Sequence, residues 1–115
     1  MEHVDVYRIE KRGRGPFSDD PQFMDNSLPS PDCDAGLPSM TEDEIERFRF
    51  GAPCIKSMKN WIEDSHGLTK RGYKVSLYKA NKKYVHSSEI QSMFIKRHAK
   101  KVGEWTVEEF CELED

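Results

Sequence analysis

The sequence predicts an α+β fold in a single domain, residues 1–115: a small curled, mostly antiparallel sheet with one principal helix packed on it and a long loop in the N-terminal third. Three observations predict it. Apolar and polar residues alternate over 4–10 and again over 73–79, the period of a half-buried strand. Ile55, Met58, Trp61 and Ile62 recur at the spacing of one helical face. Residues 17–40 hold four prolines, a glycine and many Ser, Asp and Asn, with no periodicity of either kind.

The opening strand uses Val4, Val6, Tyr7 and Ile9, then meets Lys11-Arg12-Gly13-Arg14-Gly15-Pro16, where charge, glycine and proline stop it. The loop of 17–40 is long for a compact domain, and loops of that length are often functional. Ser39 or Thr41 caps a brief helix that carries Glu42, Asp43 and Glu44 in its first turn and ends near Arg47. The principal helix is expected over 55–65, with Lys56, Lys59, Asn60, Glu63 and Asp64 on its outer face, a stop near Gly67, and Leu68 packing back on its end. In the next strand Tyr73, Val75, Leu77 and Lys79 share one face, and Lys74, Ser76 and Tyr78 share the other. Asn81-Lys82-Lys83 reads as a hairpin turn that returns through Tyr84-Val85-His86. Residues 89–97 read as a further strand, with a helix as the alternative, and Gly103 breaks the pattern. Thr106 and Glu109 have capping-box spacing, so Val107, Phe110 and Leu113 form a last short helix.

Hydrophobic residues make up 36% of the chain and charged residues 34%, enough for one modest core. No apolar run of about 18 residues exists to span a bilayer, and MEHVDVYRIE is acidic and alternating, unlike a signal peptide. Cys33, Cys54 and Cys111 are odd in number and widely spaced, which suits reduced thiols in the cytoplasm. The net charge of −3 hides segregation: residues 17–46 carry nine acids and no base, residues 70–102 carry ten Lys or Arg against Glu89, and residues 103–115 carry six acids and no base. Such blocks either neutralise one another in the fold or make a two-faced surface.

Four groups of residues bear on chemistry. The RGRG turn lacks a following helix and the phosphate-loop pattern, so it reads as a corner whose Arg12 and Arg14 are available to an anion. His3, His66, His86 and His98 share no ligand spacing with the cysteines, and Asp32-Cys33-Asp34 lacks the calcium-loop pattern, so no metal site is expected. The basic residues of 70–102 interleave with Tyr73, Tyr78, Tyr84 and Phe94, an arrangement that suits single-stranded nucleic acid or an acidic protein. The partner-binding candidates are therefore Arg12, Arg14, Lys74, Lys79, Lys82, Lys83, Lys96 and Arg97 on the basic side, with Asp19, Asp20, Asp32 and Asp34 on the acidic loop.

Two segments carry a resemblance. VYRIE followed by a Gly-x-Gly-Pro-aromatic turn, and FRFGAPCIKSMKNWI followed by GYKVSLYKA, resemble small phage and prophage proteins over about half the chain. That resemblance implies a phage-encoded accessory protein that works by occupying a surface of a host or defence macromolecule; a host-cytoplasmic location, no cofactor and no membrane are the accompanying expectations. A second similarity is to minimal ADP-ribosyltransferase-like folds, through Tyr7-Arg8, Phe50, Ser57, Glu89 and Gln91. It implies that Arg8 grips the pyrophosphate of NAD, Ser57 supports the pocket, and Glu89 or Gln91 serves the ribose. The Ser-Thr-Ser run of that fold is absent here, and the candidate Glu89 opens Glu-Ile-Gln where that fold has Glu-x-Glu. The readings carried forward are a non-enzymatic inhibitor acting through charged surfaces, an NAD-dependent enzyme, and a nucleic-acid-binding protein.

Overall fold

The computed structural model describes residues 2–28, 34–38 and 41–114. In chain order the elements are β1 (His3–Glu10), α1 (Pro16–Asp19), α2 (Glu42–Glu46), β2 (Arg49–Gly51), α3 (Ile55–Trp61), α4 (Ser65–Lys70), β3 (Lys74–Asn81), β4 (Val85–Ser87), β5 (Ser92–Phe94), β6 (Ala99–Thr106) and α5 (Val107–Cys111). The fold is α+β, as the sequence predicts, but its strands form two sheets. The larger has the order β1-β3-β6 and the smaller β2-β5-β4, and every pairing is antiparallel.

The large sheet is buried on both faces, so β1 is buried at every position from Val6 to Glu10, its charged Arg8 and Glu10 included. On one face Tyr7, Ile9, Tyr73 and Val75 meet Met58 and Trp61 of α3, Leu68 of α4, and Val107 and Phe110 of α5. The rings of Tyr7 and Phe110 lie 5.5 Å apart, and those of Trp105 and Phe110 lie 5.7 Å apart. Each such ring contributes roughly 1.5–3 kcal/mol by leaving water. The opposite face packs Val6, Tyr78 and Ala80 on Phe94 of the small sheet, in a smaller second core. Gly51 lets the two sheets meet. A Cβ there would stand 2.2 Å from the Tyr7 carbonyl oxygen and 2.9 Å from Val6. Next to it, Tyr7 and Ala52 exchange both backbone hydrogen bonds, at 2.9 and 2.7 Å.

Several elements differ from the sequence expectation, each for a local reason. The principal helix ends at Trp61, because Ile62 turns extended and bridges Met24. Asp64 then caps a separate helix by accepting from the Gly67 amide at 2.9 Å, so Gly67 lies inside α4 and does not stop a helix. Asn81 takes φ −62° and caps a 3₁₀ turn at Lys82–Tyr84, so the chain crosses to the other sheet and makes no hairpin. Of residues 89–97 only Ser92–Phe94 form a strand. Gly103 lies inside β6, where the register shift between Leu77 and Tyr78 leaves Val102 as the extra residue of a bulge. The strands β2 and β6 were not expected. The helix after Thr41 forms, with the Thr41 hydroxyl accepting from the Glu44 amide, whereas Ser39 lies outside the described residues. The last helix forms with both halves of its capping box, at 3.1 Å each.

Gly51→Ala is expected to lower stability by more than about 2 kcal/mol, since a backbone oxygen is what the new methyl would strike. The urea midpoint measures it, and an unchanged midpoint would mean that the sheets do not meet at Gly51.

Candidate functional site

Period-two alternation places Arg8 and Glu10 on the same face of β1, at the edge of the second core. Both are buried, with side chains 8% and 7% exposed, and they pair at 3.2 Å. Arg8 also donates to the Phe50 carbonyl at 2.8 Å and the Gly13 carbonyl at 3.2 Å. Glu10 accepts from the Tyr78 hydroxyl at 2.6 Å, and the ammonium groups of Lys96 and Lys101 approach it at 3.7 and 3.8 Å. Burial raises the Glu10 carboxyl, but the Tyr78 and Ser76 hydroxyls and the charges of Lys96 and Arg8 outweigh it and hold the group below its usual range. The Ser76 hydroxyl is fully buried and makes no hydrogen bond of regular geometry, so its help is electrostatic. Burial, then the hydrogen bond to Glu10, pushes Tyr78 upward. Beside this centre Glu104 holds Lys101 at 2.7 Å and Lys74 at 3.3 Å. Four cations, Arg8, Lys74, Lys96 and Lys101, thus share the two carboxylates of Glu10 and Glu104.

The RGRG segment is a two-residue turn. Lys11 and Arg14 exchange backbone hydrogen bonds at 2.9 and 3.1 Å, with Arg12 at φ 53° and Gly13 at φ 81°. Positive φ at both central residues is the type I′ arrangement, which favours Asn or Gly at the first position. An Arg there costs roughly 1 kcal/mol. The Lys96 ammonium lies against the turn, 3.6 Å from where a Cβ on Gly13 would stand. The turn is a corner, and the Gly13 carbonyl that accepts from Arg8 points into the fold.

The charge blocks largely neutralise one another. Lys79 pairs with Asp5, Lys82 with Glu2 at 3.1 Å, Arg71 with Asp20 at 3.7 Å and Arg14 with Asp19 at 3.2 Å. Asp20 is buried and also accepts from the Tyr73 hydroxyl at 2.8 Å, while Asp34 accepts from Ser88 and from Gln91 at 2.9 Å. These two acids fasten the loop to the body. Asp32 lies outside the described residues. Among the described residues Arg12, Lys83 and Arg97 make no ion pair, and Lys83 sits 5.7 Å from the centre of the Tyr84 ring.

Ser57 meets the backbone of Glu89 in a clasp, while the Gln91 side chain turns to Asp34. The Ser57 hydroxyl donates to the Glu89 carbonyl at 2.8 Å, and the Trp61 indole donates to the Ile90 carbonyl at 2.7 Å. The Glu89 side chain is exposed. Arg8 directs its three guanidinium nitrogens to Glu10, Phe50 and Gly13, so gripping a pyrophosphate would require those bonds to be exchanged. Among the described residues no group of three or more His, Cys, Asp or Glu could hold a metal ion, and no helix is long and apolar enough to cross a membrane.

Residues 1–108 match the family described as bacteriophage T4 Y00F protein. The chain belongs to that family. The match takes in all six strands, so Glu10, the turn, Lys96 and Lys101 all fall within the part that defines a Y00F protein. The expectation of a small phage protein therefore holds at the level of the family. No curated protein and no solved structure matches the chain. Sequence reasoning missed Glu10 and Lys101 as members of the cluster. The available signal was Arg8 and Glu10 at i and i+2 in a strand, which puts opposite charges side by side on one face.

Two outcomes follow from these contacts. Glu10→Ala is expected to cost about 3 kcal/mol, because it leaves the Arg8 charge buried and unmatched. Urea unfolding at neutral pH measures it, and a loss under about 1 kcal/mol would show the pair to be solvated. Burial, then the bond to Asp20, pushes Tyr73 up to about 12 from 10.0. A raised phenol stabilises the fold fully below the unfolded value of 10.0, and that contribution is lost as pH climbs toward 12. Thermal melts of wild type should therefore fall steeply over this window, and those of Tyr73→Phe should fall less; parallel curves would remove Tyr73 as the cause.

Proposed function

We propose that this phage protein is a non-enzymatic accessory protein that binds, and thereby inhibits, an acidic host or defence macromolecule through the cation-rich face beside Glu10. The observation that carries the reading is the sharing of two carboxylates by Arg8, Lys74, Lys96 and Lys101, which leaves positive charge on one face of a chain whose net charge is −3. Arg12 belongs to the turn that Lys96 lies against, and Arg97 follows Lys96 in the chain. The commitment of Arg8 to three internal acceptors, and of Asp20 and Asp34 to the body, supports contact by the lysines and the turn. Charge of this kind speeds encounter and fixes orientation, and it weakens with salt.

The test is capture from an extract of the phage's host at two salt concentrations, using the full chain and the double variant Lys96→Gln/Arg97→Gln. The wild type is expected to retain a specific host component that the variant retains about tenfold less well at low salt, while the variant stays folded with a melting temperature lowered by the loss of Lys96 beside Glu10. Equal retention by the two proteins would reject this face, and capture abolished by nuclease would reassign the partner as nucleic acid.

A further inference from the structure

The tip formed by the β1 turn and α1 is the part of this surface whose structure is hardest to explain by folding alone. Arg12 stands exposed at φ 53°, where Asn or Gly fits without strain, and its guanidinium makes no hydrogen bond or ion pair among the described residues. Strain at an exposed, unbonded side chain indicates a role outside the fold. Five residues on, Phe17 is 47% exposed, and Val102 is the only other large hydrophobic so exposed among the described residues. The Phe17 ring is held edge-on against Trp61 at 5.6 Å, so it is exposed without being loose. The segment between them is closed by Arg14, which bonds Asp19 through both Nε and Nη2 at 3.2 Å, and by the Asp20 amide on the Pro16 carbonyl at 2.7 Å. The tip thus presents one free guanidinium and one fixed aromatic ring on a braced support.

The geometry points to this tip as the recognition element for a partner protein: Arg12 takes a carboxylate, and Phe17 enters an adjoining apolar hollow. The assignment rests on the cation-rich face being the contact surface and names the kind of partner that face meets. Arg and aromatic side chains are the residue types enriched in protein–protein interfaces. The half-exposed Asp19 carboxylate beside Arg14 opposes a nucleic-acid backbone, which would bring several phosphates, but tolerates a single carboxylate at Arg12.

The test uses labelled poly-glutamate, a labelled glutamate–tyrosine random copolymer and a labelled single-stranded oligonucleotide of matched charge, titrated against the full chain by anisotropy. Wild type should bind the copolymer more tightly than poly-glutamate, and Phe17→Ala should erase that difference. Arg12→Asn should weaken both polymers about tenfold while its melting temperature stays level or rises, because Asn suits the turn. That combination separates a contact from a structural role. Arg12→Asn binding like wild type, or the oligonucleotide binding more tightly than the copolymer, would overturn the proposal. Should Lys96→Gln/Arg97→Gln lose the copolymer while Arg12→Asn keeps it, the tip alone is rejected; should neither variant matter, the cationic face falls with it.

Discussion

The buried pair of Arg8 and Glu10 is the constraint on which the arrangement depends. A guanidinium and a carboxylate removed from water are costly, and their attraction offsets the cost only where the remaining donors and lone pairs are also satisfied. Here the satisfying groups come from distant segments: the Gly13 and Phe50 carbonyls on the Arg8 side, Tyr78, Lys96 and Lys101 on the Glu10 side. The turn after β1, the small sheet, β3 and the segment entering β6 must each be in place for the charges to be met. A hydrophobic pair of similar volume could fill the space, but it would not distinguish one register of these elements from another. The pair thus specifies how two sheets, each only three strands wide, sit on each other.

What the sequence made legible follows how far each element depends on its partners. The strands at 4–10 and 73–79, the helix starting at Ile55 and the Thr106–Glu109 capping box have their cause within a few residues, and they stand as expected. The strand β6 does not. Ala-Lys-Lys-Val-Gly-Glu-Trp-Thr has no clean alternation, and it is a strand because β3 offers it an edge while the bulge at Val102 absorbs the mismatch. Likewise Arg49–Gly51 is too short to show a period, and its position comes from Ser92–Phe94 and from the close approach of Gly51 to β1. Asn81 misled because its side chain suits a positive-φ turn and a helical cap equally well; here it accepts from the Lys83 amide at 3.1 Å and caps.

The charge blocks were legible as blocks but not as a surface. Basic residues of 70–102 find acids from the first strand, the loop and the last segment, as Lys79 with Asp5, Arg71 with Asp20 and Lys101 with Glu104 show. Linear segregation of charge therefore became spatial neutralisation over much of the molecule. The exception lies where several cations converge on one buried carboxylate. A buried acid can attract more cations than it can cancel, because each retains its hydration on the outer side while sharing the same inner charge. That is how Lys96 and Lys101, both 43% exposed, stay near Glu10 at distances too long for tight pairs.

A net negative chain with a positive face raises the question of which charge a partner senses. At physiological ionic strength the screening length is about 8 Å. The molecule measures 33 × 29 × 26 Å, several screening lengths across. A partner approaching the turn and Lys96 therefore senses those cations and Arg12 strongly, and the acids on the far side only faintly. The sign of the whole molecule governs its field at low salt, whereas the sign of the face governs the field beside it at physiological salt. The two opposing fields give the interaction a particular salt dependence. Removing salt lengthens the reach of the local attraction, but it also brings in the distant acids, so attraction to an acidic partner rises less steeply at low salt than the cations of the face alone would dictate.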